Sequence, residues 1–155
     1  MSLMRNDTDT IKDDERFMRM ALKEAEAAYA AGEVPIGAVI VCEGRVISRA
    51  HNMTETLNDV TAHAEMQVIT AAANYLGGKY LNGCTLYVTV EPCPMCAGAI
   101  GWAQISRIIY GAPDEKRGYR LYAPRVMHPR SEAVGGVLED ESRTLMLRFF
   151  RERRT

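Results

Sequence analysis

The feature that most constrains this chain is a set of three metal-binding side chains, His63, Cys93 and Cys96, which come from two separate stretches. Imidazole and thiolate are the groups that bind Zn²⁺ well in proteins. Cys93 and Cys96 are three residues apart, so on a helical turn both sulfur atoms can reach one ion. The fold must therefore bring residue 63 beside residues 93–96. Three protein ligands leave one position for water, whereas structural zinc sites usually have four.

A fourth ligand could come from another cysteine or histidine. Cys84 opens an apolar run that is typical of a strand, and such a strand would carry it about 30 Å from Cys93. Cys42 ends another apolar run and is placed away from the site by the same reasoning. His51 and His128 stay open as alternatives because both lie in loop-like sequence, although a lone histidine is more often a surface residue. The pattern favours an open site with three ligands.

Glu65 follows His63 by two residues, which puts a carboxylate beside the metal without making it a ligand. There it can take a proton from a metal-activated water and act as a general base. A His-x-Glu segment with a later Pro-Cys-x-x-Cys is the signature of zinc-dependent nucleobase deaminases. A Cys-x-x-Cys pair alone also fits a redox pair or half of a structural zinc site. Those two interpretations leave His63 and Glu65 unexplained, so we predict a catalytic zinc centre.

Length and composition indicate one domain over residues 1–155, with a polar, acidic segment at 1–13 that we expect to fray. No secretory signal and no apolar run of about 18 residues are visible, so we expect a soluble cytoplasmic protein with reduced cysteines and no membrane contact.

Residues 1–104 carry 8 basic and 13 acidic side chains, and residues 105–155 carry 11 and 7. The basic end could meet phosphates or simply face solvent. Its last helical segment contains Arg143, Arg148, Arg151, Arg153 and Arg154.

The hydrophobic pattern alternates between strand-like and helical segments, which predicts an α/β layered sheet. Thr61 is a suitable N-cap for the helix that carries His63 in its first turn, and the Cys93 segment opens the next helix. The site then lies where strands end and helices begin. The predicted strands are 37–41, 45–49, 85–90, 106–111 and 133–137, the predicted helices are 14–31, 62–76, 93–102 and 139–153, and 112–131 is a long loop.

Three further positions near the first hairpin could face a ligand. Pro35 and Gly37 carry little side-chain bulk at the end of the first strand, where a ligand could approach closely. Asn52 offers an amide and a carbonyl that could bind a base or a ribose. An asparagine that only satisfies a turn is the alternative, and sequence context alone favours that alternative.

Several segments of the chain resemble the cytidine and deoxycytidylate deaminase superfamily, and within it the bacterial tRNA-specific adenosine deaminases. The similarity extends from about Phe17 to Arg154 and is carried by 33–39, 85–89, 91–99 and 111–118. The resemblance implies a three-layer α/β/α fold with a five-stranded mixed sheet. It also implies one Zn²⁺ per chain, a homodimer, and a tRNA anticodon arm whose wobble adenosine is converted to inosine.

The resemblance also suggests site residues. His63, Cys93 and Cys96 would bind zinc, and Glu65 would be the catalytic acid and base. Asn52 stands eleven residues before His63, as the base-contacting asparagine of the family does. Substrate contacts are expected at Pro35, Asn52, Ala64, Asp114, Lys116, Phe150 and Arg151.

The chain departs from the family after Gly118, where small residues and a serine are usual but Tyr119–Tyr122 stand here. Residues 93–103 are also close to those of bacterial guanine deaminases, which act on a free base. Deamination of guanine or another free purine is therefore an alternative function. A non-catalytic, zinc-stabilised RNA-binding relative is a second alternative, which the intact zinc and glutamate motif disfavours.

Overall fold

The structure is a computed structural model that describes residues 7–153. Strands and helices are interspersed along this part of the chain. The elements are α1 (Asp7–Ala30), β1 (Gly37–Cys42), β2 (Arg45–His51), α2 (Ala64–Leu76), β3 (Cys84–Val90), α3 (Pro94–Ala103), β4 (Arg107–Ala112), α4 (Tyr119–Tyr122), β5 (Glu132–Val134) and α5 (Glu139–Arg153).

The strands form one five-stranded sheet in the order β2-β1-β3-β4-β5. Strand β1 is antiparallel to β2 and β3, whereas β3, β4 and β5 run parallel. The predicted five-stranded mixed sheet is thus confirmed. Because β3 and β4 are parallel, both strands end at the same edge of the sheet, and α3 begins immediately beyond the end of β3.

Helices cover both faces of the sheet because successive strand residues point to opposite sides. Ala38 and Ile40 of β1 pack in one core with α2 and α3, and Val39 and Val41 pack in a second core with α1. Helix α5 packs against β4. A fully buried aliphatic side chain such as Ile108 contributes about 1.5–3 kcal/mol to stability. The three layers of the predicted fold follow from this arrangement.

Helix α1 begins seven residues earlier than the sequence pattern indicates, so residues 7–13 of the segment expected to fray are helical. Asp14 lies inside the helix and is buried; its carboxylate accepts hydrogen bonds from Tyr87 at 2.7 Å and from Arg107 at 3.0 Å. These contacts anchor the first turns to the sheet. Asp7 and Asp9 also favour the positive end of the helix dipole. The rest of the expected frayed segment and Arg154 lie outside the described residues.

The predicted start of α2 is also wrong, because the helix begins at Ala64 and its N-cap is His63. Thr61 does not cap it, since its backbone N–H and its hydroxyl donate to Asp59 at 2.8 Å and 2.7 Å. His63 therefore precedes the helix with an extended backbone, φ −71° and ψ 154°. Its side chain leaves the chain at the edge of the sheet rather than from the helical surface.

The long loop predicted after β4 contains the short helix α4, and β5 begins and ends earlier than expected. Tyr119 starts α4, is buried, and donates its backbone N–H to the carbonyl of Pro92 at 2.9 Å. This contact, which sequence pattern does not show, attaches the loop to the segment that carries the cysteines. Helix α5 has the predicted bounds.

Gly37 is required for helix packing rather than for ligand approach. A Cβ at this position would lie 2.1 Å from the carbonyl oxygen of Ala21 and 2.4 Å from the amide nitrogen of Ala25, both in α1. The expectation that a ligand approaches here is therefore corrected for Gly37. In the described part of the chain, no helix combines the length and the apolar character that crossing a membrane requires.

Candidate metal centre and substrate pocket

The predicted ligands His63, Cys93 and Cys96 meet at the edge of the sheet. The Nδ1 atom of His63 lies 3.6 Å from Sγ of Cys93 and 3.4 Å from Sγ of Cys96. Tetrahedral zinc with bonds of about 2.3 Å to sulfur and about 2.0 Å to nitrogen separates such atoms by roughly 3.5 Å. Within residues 7–153 no other group of three or more His, Cys, Asp or Glu side chains is arranged to hold a metal. The three donors fit one zinc ion.

Two helix starts bring these ligands together. His63 is the N-cap of α2, Cys93 is the N-cap of α3, and Cys96 lies in the first turn of α3. Pro94 occupies the first turn of α3, where its missing N–H costs no hydrogen bond. The partial positive charge at both helix starts stabilises thiolates.

The two thiols share a proton when considered by themselves. The hydrogen bond from Cys96 lowers the pKa of Cys93 to about 4, and the same bond together with burial raises the pKa of Cys96. A coordinated cation removes the need for that proton, because a metal-bound thiol is deprotonated outright. One imidazole nitrogen and two sulfur atoms at these distances make the donor set of a zinc centre.

The other cysteines and histidines lie apart from this group. Cys42 and Cys84 are partners across β1 and β3 at the opposite end of the strands, and both are free thiols. The Nδ1 atom of His51 lies 3.0 Å from the carbonyl oxygen of Asn52, and Nδ1 of His128 accepts the backbone N–H of Arg130. In the described chain, neither histidine joins the metal-binding group.

Glu65 lies in the first turn of α2 and is only 4% exposed. It lines the same cavity as His63 and Cys93 but does not belong to the ligand group. Burial raises the pKa of its carboxyl to about 7. Such a carboxyl can both accept and return a proton near neutral pH, which is what a general acid and base must do.

A cavity of about 230 Å³, called here the zinc pocket, opens in front of these groups. Asn52 lines it and is buried; its amide donates to the carbonyl of Val34 at 3.4 Å, and its side-chain oxygen accepts the N–H of Thr54 at 3.3 Å. Asn52 thus satisfies a turn and also faces the pocket. Pro35 does not line the pocket, whereas its neighbours do. The lining residues are Val34, Ile36, Asn52, Thr54, His63, Ala64, Glu65, Glu91, Cys93, Asp114 and Arg117.

Two grooves adjoin the zinc pocket. The α5 groove lies between α5 and the loop after β4, and its lining includes Asp114, Lys116 and Phe150. Arg151 is exposed on α5 and lines neither the pocket nor the grooves. The second groove, called the Met95 groove, is lined by Val60, His63, Cys93, Pro94, Met95, Lys116, Arg117 and Tyr122.

A family model described as the cytidine and deoxycytidylate deaminase zinc-binding region matches residues 11–112. This match contains His63, Cys93, Cys96 and Glu65. The chain belongs to the cytidine and deoxycytidylate deaminase family. With this motif intact and its donors assembled, the chain is a zinc-dependent hydrolytic deaminase.

Two kinds of relatives of this deaminase bear on its substrate. A tRNA-specific adenosine deaminase of Agrobacterium fabrum is 49% identical over 143 residues, which are 89% of this chain and 94% of that protein. A structure from a study of A-to-I editing by tRNA:A34 deaminases at the wobble position of transfer RNA has a TM-score of 0.79 at 48% identity, covering 84% of this chain and 98% of the other. A guanine deaminase from Bacillus subtilis has a TM-score of 0.61 at 44% identity, covering 64% of each chain. The guanine deaminase from Bacillus subtilis thus covers a smaller share of this chain than the tRNA deaminase structure does.

Glu91 supports the deaminase site structurally, a role that the sequence analysis did not identify. It is buried at the end of β3, and its carboxylate accepts the backbone N–H groups of Asp114 at 3.1 Å and Arg120 at 3.2 Å. The Arg120 guanidinium pairs with it at 3.1 Å. A Cβ on Gly118 would lie 2.3 Å from the carboxylate, so glycine is required there. A charged residue that directly follows an apolar strand needs such partners when it is buried. This requirement was the sequence signal that could have indicated the role of Glu91.

Glu33 fixes the opposite wall of the pocket in the same way. Its fully buried carboxylate accepts the backbone N–H of Glu55 at 3.0 Å and both the backbone N–H and the hydroxyl of Thr56 at 2.6 Å. Burial acts to raise the pKa of Glu33, but the three hydrogen bonds outweigh it and hold that pKa below its usual range. The ionised carboxylate thereby ties down the loop that follows Asn52.

Proposed function

We propose that this deaminase converts adenosine to inosine at the wobble position of a tRNA anticodon arm. The observation that carries the proposal is the 49% identity, over nearly the whole length of both chains, to a protein named tRNA-specific adenosine deaminase. The 44% identity to the guanine deaminase from Bacillus subtilis covers only 64% of each chain. Because the zinc motif is common to both groups, the residues outside it must distinguish the substrates.

In the proposed reaction, water replaces the 6-amino group of adenine and ammonia leaves. Zinc, when bound by His63, Cys93 and Cys96, lowers the pKa of a coordinated water towards about 7. Glu65 accepts a proton from the attacking water and delivers it to ring nitrogen N1 of the base. The same carboxyl then carries a proton to the departing amino group, so that one buried residue serves each transfer.

A base in an RNA loop must leave its stack to reach this pocket. Asn52 and Ala64 line the zinc pocket and are proposed to contact the base, together with Asp114 at its rim. Lys116 and Phe150 line the adjoining α5 groove and are proposed to contact neighbouring nucleotides. The proposed contacts of Pro35 and Arg151 require substrate that extends beyond the pocket.

We further propose that the chain acts as a homodimer in the cytoplasm, where tRNA is found. Met95 and Trp102 are seven residues apart on α3 and therefore share a face, with exposed fractions of 38% and 85%. Large exposed apolar side chains of this kind are typical of an interface. Sedimentation of the purified chain tests the dimer, and a monomer at micromolar concentration would contradict it.

The substrate is tested by offering the purified, zinc-loaded protein four compounds side by side and measuring ammonia release. These are an anticodon-arm RNA with a wobble adenosine, free adenosine, guanine and cytidine. We expect the RNA to be deaminated fastest, and a matched RNA with guanosine at the wobble position to release no ammonia. If guanine is preferred and the RNA ignored, the guanine deaminase alternative replaces this proposal. RNA binding without ammonia release from any compound would favour the non-catalytic alternative.

A further inference from the structure

We infer that Arg117 is a specificity-determining residue that binds the phosphate next to the deaminated nucleotide and so favours a base held in RNA over a free base. The inference rests on the proposed function. Arg117 lines the zinc pocket, the α5 groove and the Met95 groove, so it stands where all three cavities meet. A base that enters the zinc pocket from an RNA strand leaves its sugar and phosphates at this junction.

The backbone at this junction is held in place before any substrate arrives. Asp114 accepts the N–H groups of Lys116 and Arg117, both at 3.0 Å, and its carbonyl accepts the N–H of Gly118 at 3.0 Å. The Tyr122 hydroxyl donates to the carbonyl of Lys116 at 2.9 Å. Tyr122 thus gives the unusual segment after Gly118 a role, since it fastens the loop that presents Arg117. Binding to a fixed loop avoids the entropy cost of ordering it.

The charge of Arg117 is available to a ligand. Its side chain is exposed, and no carboxylate of residues 7–153 lies within ion-pair distance of it. Arg120, three residues later, is different because it pairs with Glu91. A guanidinium at a pocket entrance, with no protein partner, has the geometry to bind a phosphate through two parallel hydrogen bonds. A free purine has no phosphate and gains nothing from this residue.

The test compares Arg117→Ala with Arg45→Ala in the zinc-loaded protein. Arg45 is a matched control because it is also an exposed arginine, but it lies at the hairpin end of β2, away from the pocket. On anticodon-arm RNA, we expect Arg117→Ala to raise KM about ten-fold with little change in kcat. Log affinity falls as log salt concentration rises, and this negative slope should become shallower by about 0.7, the value for one phosphate contact to a single strand. Arg45→Ala should change neither quantity.

The test also includes the variants Arg117→Lys and Arg117→Gln and the free substrate adenosine. Arg117→Lys should keep the salt slope but recover only part of the affinity, because lysine keeps the charge and loses the two-pronged contact. The preference for anticodon-arm RNA over free adenosine, measured as the ratio of their kcat/KM values, should fall about ten-fold in Arg117→Ala. Zinc content should be that of the parent, because Arg117 is not among the metal-binding donors. If Arg117→Ala and Arg117→Gln behave like Arg45→Ala on an RNA that the parent deaminates, this inference is wrong and the proposed function stands. If the parent ignores the RNA, the proposed function has failed and the inference fails with it.

Discussion

Replacement of Glu65 by glutamine is expected to remove nearly all turnover while zinc stays bound. Glutamine keeps the size and shape of the side chain but cannot take up a proton from water. General acid-base catalysis contributes about 10²–10⁴-fold, and Glu65 serves more than one transfer, so the rate should fall by at least that factor. Glu65 is not among the ligand donors, so the metal content should remain that of the parent. Ammonia release and metal analysis on the same sample measure both quantities.

Glu55→Gln is the matched control for this variant. Glu55 is an exposed glutamate on the loop that Glu33 holds, and its side chain does not line the zinc pocket. Turnover of Glu55→Gln should equal that of the parent. Near-normal turnover in a zinc-loaded Glu65→Gln protein would assign the proton transfers to another group.

The second large effect concerns the metal itself. Cys93→Ser and Cys96→Ser should each lose most of the bound zinc, because each removes one of the three predicted protein ligands. Cys42→Ser and Cys84→Ser should each keep one zinc per chain, since the two residues pair with each other across β1 and β3 at the far end of the strands. Metal analysis of the four purified variants, with turnover measured in parallel, checks the prediction.

Cys84 is fully buried, so its serine variant also introduces a polar group into the core. Cys84→Ala separates this effect from metal binding because it leaves no polar group to bury. Zinc loss from a folded Cys84→Ala or Cys42→Ser protein would contradict the three-ligand site and its open position for water.

Sequence patterns were sufficient to predict those parts of the site in which the residue type itself determines the chemistry. Imidazole, thiolate and carboxylate at the spacing of His63, Glu65, Cys93 and Cys96 predict a zinc centre, and the family match and the observed geometry agree. The centre of the sheet was also predictable, because β1, β3 and β4 are apolar runs. The proposed contacts to substrate remain predictions.

The errors arose where a distant partner decides the local structure. Asp14, at the predicted start of α1, bonds to Arg107, which is 93 residues away in sequence, and the helix continues back to Asp7. Thr61 has a good capping side chain, but Asp59 engages it and His63 takes the N-cap position instead. Gly37 is required by the backbone of α1, and no residue near Gly37 in sequence reveals that contact.

The roles of Glu33 and Glu91 were missed for the same reason. Each carboxylate ties down a loop through backbone N–H groups more than twenty residues away in sequence. A buried glutamate must have partners, but sequence alone does not identify them. The walls of the pocket therefore became apparent only from the fold, whereas the metal ligands were visible in the sequence.

The most direct measurement of the central claim is the source of the oxygen in the product. The zinc-loaded deaminase is incubated with anticodon-arm RNA in ¹⁸O-labelled water. The RNA is then digested to nucleosides, which are separated, and their masses are measured by mass spectrometry. Hydrolysis of the 6-amino group predicts inosine at the wobble position alone, with one ¹⁸O atom in each molecule and one ammonia released for each inosine. Absence of inosine, or inosine without the label, would contradict the account.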